Sequence, residues 1–179
     1  MKFEKIKQTI KDYHNQGKTI EAADWLLKMF DIQDSNLKGF ALREKADPSY
    51  ILLTTEGDFG EEQIIRIPEN IFQFSIPLVL TLLAHEMVHV GQKSRQPYVL
   101  DRLEREWQAY YEMLFHKIFP NHLEVSNFHK KFFANKAYSY YTRMGEGSEL
   151  QLKYAEQKKE IEDLIASLYL ESGTSTSSE

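Results

Sequence analysis

His85-Glu86-Met87-Val88-His89 sets two imidazoles four residues apart, with a carboxylate beside the first. On an α-helix, residues four apart lie about 40° apart around the axis and one turn along it, so both rings can reach one metal ion. Glu86, next to the first ring, is then placed to take a proton from a water that the ion polarises. This spacing recurs where zinc activates water for hydrolysis. The competing reading of the same five residues is an amphipathic helix that carries two partly exposed histidines.

The surroundings favour the metal. Ser75 is a good N-cap, Pro77 falls in the first turn where its missing N–H is harmless, and Gly91 is a plausible C-terminal stop. They predict a helix of about four turns around the motif. Leu78, Thr81, Leu82, His85, His89 and Gln92 share one face, and Ile76, Val79, Leu80, Leu83, Met87 and Val90 fill the others. A helix apolar nearly all round is buried, and buried imidazoles and a carboxylate need partners. An unpaired polar group in the core costs about 1–3 kcal/mol, and an unpaired charge more. A divalent cation would satisfy all three groups.

Hydrolytic zinc takes three protein ligands and leaves a fourth position for water. Leu100, Leu103, Trp107, Tyr110, Leu114 and Ile118 recur at three- and four-residue steps, which predicts a second amphipathic helix. The polar stretch Gln92 to Tyr98, with Pro97, would return it alongside the first. Glu104, Glu106 and Glu112 compete for the third ligand position. Glu106 shares a face with Leu103, Ala109 and Tyr110, and small Ala109 would let the helices approach, so Glu106 is preferred. Glu104, beside Leu100, Trp107 and Tyr111, is the alternative.

His85-Glu86-Met87-Val88-His89-Val90-Gly91-Gln92 followed by Glu106-Trp107-Gln108-Ala109-Tyr110 resembles the gluzincin metallopeptidases, in which a glutamate helix with an E-x-x-A pattern follows the HExxH helix. The short spacing resembles the compact members of that clan, over roughly residues 50 to 115. The resemblance implies a zincin-like fold, one Zn²⁺ ion held by His85, His89 and Glu106, and Glu86 as general base. It departs at Tyr110, where many relatives carry Asp or Asn, so the partner of one histidine is unassigned.

The elements that must position these groups are mainly helical. Apolar periodicity predicts helices over Phe3 to Tyr13 and Ile20 to Phe30, separated by Gly17. Leu37 to Leu42, Tyr50 to Thr54 and Gln63 to Ile67, punctuated by Asp47-Pro48 and Gly57-Asp58-Phe59-Gly60, read as a small antiparallel sheet before the motif helix. Gln63 to Ile67 is the expected edge strand, suited to pairing with an extended peptide, with an inner position as the alternative. Leu123 to Ala134, Ala137 to Arg143 and Ser148 to Leu170 form the C-terminal helices. Gly145-Glu146-Gly147 is a hinge, and Ser148-Glu149-Leu150-Gln151 a capping box. The fold class expected is α+β, mostly helical. One domain is expected over 1–170, with a disordered Ser/Thr-rich tail over 171–179.

With 179 residues the chain can bury about 70% of its unfolded surface. It has no cysteine, so disulfides and thiolate metal sites are excluded and any metal must use His, Asp or Glu. A net charge of −5 with mixed signs argues against a nucleic-acid partner, and Lys130-Lys131 beside Phe132-Phe133 reads as a helix edge. Residues 1 to 15 lack the uncharged core of a signal peptide, and no apolar run is long enough to span a membrane. The cytoplasm is the default expectation, with signal-less export left open.

The expected activity is zinc-dependent peptide-bond hydrolysis, with a peptide or protein as substrate. The transition state needs a donor besides the metal, and His129, Tyr138, Tyr140, Tyr141 and Arg143 are candidates, none singled out by a motif. For each, ordinary packing or solvation is the competing reading. The alternative function is a zinc-binding scaffold of the same fold that does not turn over.

Overall fold

The computed structural model describes residues 3–174; the part of the expected tail from 175 to 179 lies outside the described residues. Among the described residues, helices α1 (Phe3–Asn15) and α2 (Thr19–Met29) precede strands β1 (Leu37–Arg43), β2 (Thr54–Glu56) and β3 (Gln63–Pro68). A single 3₁₀ turn (Ile71–Gln73) leads into α3 (Ile76–Ser94). Helices α4 (Arg102–Phe115), α5 (Asn127–Arg143), α6 (Glu149–Lys153) and α7 (Ala155–Thr174) follow. The mostly helical α+β class and the sheet ahead of the motif helix agree with the sequence reading. No helix of the described residues is long and apolar enough to cross a membrane.

The sheet is mixed, not antiparallel, in the order β1-β3-β2. β2 and β3 form the antiparallel pair expected of a hairpin, while β1 runs parallel to β3. The physical reason lies in burial. Ile65 and Ile67 are fully buried, which suits β3 to the centre, and the chain from 44 to 53 carries β2 to its far side. Gln63 to Ile67 is therefore the inner strand, and β2 is an edge. That strand also starts later than Tyr50, at Thr54. The buried Gln63 amide donates to Asp58 O and Glu61 O, each at 2.8 Å, and shapes the connecting loop. Gly57 sits against this amide with φ +144°, and a Cβ there would lie 2.7 Å from Gln63 Nε2.

α3 is the central helix. Val79, Leu80, Leu83, Met87 and Val90 have no exposed surface and pack with Ile6, Ile10, Leu26, Ile65 and Ile67 in the principal core. Ser75 holds the N-cap position without a side-chain bond, and Pro77 lies in the first turn, as read. Gly91 does not stop the helix, which continues to Ser94 with Arg95 N bonded to Gly91 O at 3.1 Å. The glycine costs roughly 1 kcal/mol in a helix interior, less than burial of its neighbours returns. The extension has a consequence: Gln92 becomes helical, one turn beyond His89.

α4 is shared between two cores. Ala109 is fully buried in the principal core, whereas Trp107 packs with Ala134, Ala137, Tyr154 and Ile161 on the other side. Asp101 caps α4 by accepting from Glu104 N at 2.9 Å. The helix ends before Ile118 because His116 turns left-handed, with φ 49°. The two segments expected on either side of Asn135-Lys136 form one continuous α5, since no Gly or Pro interrupts them. The last helix is broken at Tyr154 into α6 and α7 and continues to Thr174. Its capping-box serine accepts from Gln151 N at 3.2 Å, as the pattern requires.

Candidate metal centre

Helical spacing on α3 turns His85 and His89 toward the same side, and their Nε2 atoms stand 3.1 Å apart. α4 brings Glu106 to this point, with Oε2 3.7 Å from His85 Nε2 and Oε1 3.8 Å from His89 Nε2. Among the described residues, these three form the one group of His, Asp or Glu whose ligand atoms all lie within 4.8 Å of one another. Donors held about 2.0–2.1 Å from a tetrahedral zinc ion stand roughly 3.3 Å apart, so the three observed separations bracket what an ion would need.

The outer nitrogens decide the protonation of the inner ones. Gln92 Nε2 donates to Arg105 O at 3.0 Å, and a carbonyl can only accept, which turns Gln92 Oε1 toward His89 Nδ1 at 2.7 Å. His89 therefore carries its proton on Nδ1. His85 Nδ1 lies 3.1 Å from Met113 Sδ, also an acceptor, so the same tautomer holds there. Both Nε2 atoms are then bare lone pairs that face each other next to a carboxylate, an arrangement that is repulsive until a cation enters. Burial and the neighbouring His85 hold His89 below the usual imidazole range. Burial alone would raise the Glu106 carboxyl, but a proton taken up at His85 or His89, together with Arg102, outweighs it and holds it low. The donor set of two imidazoles and one carboxylate, without thiolate, suits zinc.

Glu86 is buried, with only 7% of its surface exposed. Thr55 of β2 lies with Oγ1 2.8 Å from Glu86 Oε2, which leaves Oε1 with no hydrogen bond among the described residues. Burial raises its carboxyl above the usual range, although His89 and the Thr55 bond pull the other way. Raised basicity beside a polarised water is what a general base requires.

No protein-family model, no curated protein and no solved structure matches this chain. Its chemistry must be read from its own side chains.

The other glutamates on α4 go elsewhere. Glu104 accepts from Tyr154 OH at 2.6 Å and from Lys153 Nζ at 2.7 Å, away from the imidazoles. Glu112 accepts from Ile118 N and Phe119 N and fastens the chain after α4. Of the five candidate donors, two approach the centre. Tyr110 meets His85 edge-on at 4.8 Å, and Tyr140 stacks on Tyr110 at 5.6 Å, with the Arg143 guanidinium 5.3 Å from the Tyr140 ring. The three others are occupied elsewhere. His129 bonds to the Ser126 hydroxyl at 3.0 Å, Tyr138 lies under Lys158, and Tyr141 donates to Gln151 O at 2.9 Å.

Sequence reasoning did not identify Gln92, Met113, Thr55 or Gln108 as parts of the site. Tyr110 reads from the sequence as a neighbour on the Glu106 face and as a departure from the E-x-x-A pattern, not as a donor. Burial raises its hydroxyl strongly, and the charges of Glu106 and Glu86 add to this, which places the phenol within their field. The available signal for Gln92 was its position three residues after His89, on the same helix face.

Proposed function

We propose that this protein is a zinc-dependent metallopeptidase with a gluzincin-type site. The observation that carries the reading is the convergence of two imidazole Nε2 atoms and the Glu106 carboxylate beside a buried Glu86. Zinc held there would supply a Lewis acid that brings the pKa of a coordinated water to about 7. The chain's own groups do the remaining work. Glu86, anchored by Thr55 through one oxygen, takes and returns a proton at the other. Gln92 and Met113 hold the imidazoles in the tautomer that presents Nε2. Tyr110 and Tyr140, kept protonated by burial, are donors for negative charge that develops on a peptide carbonyl. Edge strand β2, with Thr55 already against Glu86, offers backbone groups to an extended peptide.

The burial of Glu86 also favours a second reading, a zinc-binding scaffold that does not turn over. Metal analysis of protein prepared without a polyhistidine tag tests the ion: one equivalent of zinc is expected, and less than about a tenth, with none taken up on addition, would refute both readings. Cleavage of a peptide library by wild type and by Glu86→Gln tests turnover. Wild type should cleave and the variant, with zinc retained, should not. Equal cleavage by both refutes the peptidase. Zinc binding without cleavage leaves the scaffold.

A further inference from the structure

The hydrogen bond that fixes His89 is the first link of a longer line. Gln92 Nε2, besides its bond to Arg105 O, donates to Gln108 Oε1 at 2.8 Å. With that oxygen used, Gln108 Nε2 donates to the Tyr154 hydroxyl oxygen at 2.6 Å. Tyr154 has one proton left to give, and it goes to Glu104 Oε1, also at 2.6 Å. Because the Arg105 carbonyl fixes the amide of Gln92, every later link has a single sense. Each proton points away from His89 and toward the carboxylate. Gln92, Glu104 and Tyr154 are all under 10% exposed, so water competes little along the line. Lys153 approaches Glu104 from the solvent side, with more than half of its side chain exposed.

We propose that Glu104 and Tyr154 are positioning residues for His89, acting through Gln108 and Gln92 as a carboxylate bonded directly to a metal-ligating histidine would act. Aligned hydrogen bonds polarise one another, so a negative charge at the far end strengthens the His89 Nδ1–H bond to Gln92 and makes His89 Nε2 a better electron donor. The line also ties the α6–α7 junction, where Tyr154 stands, to the metal centre on α3. Glu104 thus serves the site without touching the ion. This inference rests on the zinc reading for its effect on affinity, but its effect on the His89 Nδ1–H bond does not.

The experiment has two readouts. The ¹H and ¹⁵N shifts of His89 Nδ1–H, from NMR correlations on the metal-free protein, report the strength of its hydrogen bond to Gln92, and competition with a chromophoric chelator gives the affinity for Zn²⁺. Tyr154→Phe keeps the ring packed on Trp107 but cuts the line. It should leave the tautomer, which the Arg105 carbonyl fixes, unchanged but move the His89 Nδ1–H resonance upfield, and weaken zinc binding about tenfold. Glu104→Gln keeps the shape and removes only the charge, with an expected loss of about threefold. The double variant should bind no more weakly than Tyr154→Phe, because both act through one line. Tyr111→Phe, which also borders Trp107 but lies outside the line, should behave as wild type.

The proposal is overturned if wild type binds one equivalent of zinc and both single variants match it, or if Tyr111→Phe weakens binding as much as Tyr154→Phe. It is also overturned if the His89 Nδ1–H resonance does not move in Tyr154→Phe. Should wild type bind no zinc at all, the zinc reading fails by itself, and the Nδ1–H shift still upholds or sinks the line. If Tyr154→Phe does not fold, Glu104→Gln alone decides by the same comparison with wild type.

Discussion

The molecule contains two close histidine pairs, and they differ in almost every respect that matters for binding. His85 and His89 meet edge-on, with ring centroids 4.8 Å apart and planes at 86°, and each outer nitrogen has a partner. His116 and His122 stack nearly parallel, with centroids 3.9 Å apart and planes at 14°. In the second pair His122 donates from Nδ1 to Leu123 O at 2.8 Å, while His122 Nε2 and His116 Nδ1 are buried with no hydrogen-bond partner. Glu124, the nearby carboxylate, is held by Lys130 at 2.5 Å. Proximity therefore does not make a metal site. What distinguishes the first pair is lone pairs aimed at one point, a carboxylate free to join them, and outer bonds that choose the tautomer.

The most severe way to break this comparison is to delete a member of each pair. His85→Ala or His89→Ala should lower zinc affinity by more than the roughly 100-fold that marks loss of an outer-shell partner, whereas His116→Ala and His122→Ala should still bind one equivalent in metal analysis. Zinc lost from the His116 or His122 variants would show that the wrong pair has been assigned. Next in size is Glu86→Gln, expected to reduce peptide cleavage by about 10²–10⁴-fold with zinc content unchanged. A variant that cleaves as well as wild type would remove the general base from the site.

Two smaller effects sharpen the contrast. Glu112→Ala leaves the half-buried Ile118 N–H and the buried Phe119 N–H without their acceptor and should cost about 1–3 kcal/mol in denaturant unfolding, with zinc binding intact. Glu106→Gln should do the reverse, weakening zinc while metal-free stability changes little. Acid should act on the stacked pair. Burial and the neighbouring His122 lower His116 to about 4, and burial lowers His122 as well. The unfolded chain takes up these protons first, near pH 6.5, so the stability from this pair is complete above that pH and is lost as pH falls toward 4. Thermal melts of the metal-free protein between pH 7.5 and 4.5 should therefore fall less steeply for a His116→Gln/His122→Gln variant than for wild type. Parallel curves would show that the pair does not carry the effect.

Much of the candidate site was legible because α3 and α4 are amphipathic, and a 3.6-residue period reports which side chains share a face. His85 and His89 needed nothing more, since their geometry is local to one helix. Glu106 needed a second inference, that small Ala109 marks the contact side of α4, and the buried Ala109 accords with it. The sheet was harder. Short apolar runs reveal that strands exist but not their order, which is why Gln63 to Ile67 reads as an edge strand although β3 occupies the centre. Gly91 misled for a related reason: glycine marks a helix end only where no burial holds the next turn in place.

Local spacing along the chain determined the two imidazoles, the adjacent carboxylate and the helices that carry them, because helical periodicity is a property of near neighbours. Only the tertiary structure decided which of Glu104, Glu106 and Glu112 faces the histidines. It also decided that β1 runs parallel to β3, and that a line of polar side chains joins His89 to a glutamate on the far side of α4. Those outcomes depend on the crossing of helices remote in sequence and on hydrogen bonds between residues as distant as Glu104 and Tyr154. Polar partners of that kind leave no periodic trace, since each is selected by the one group it meets after the chain has packed.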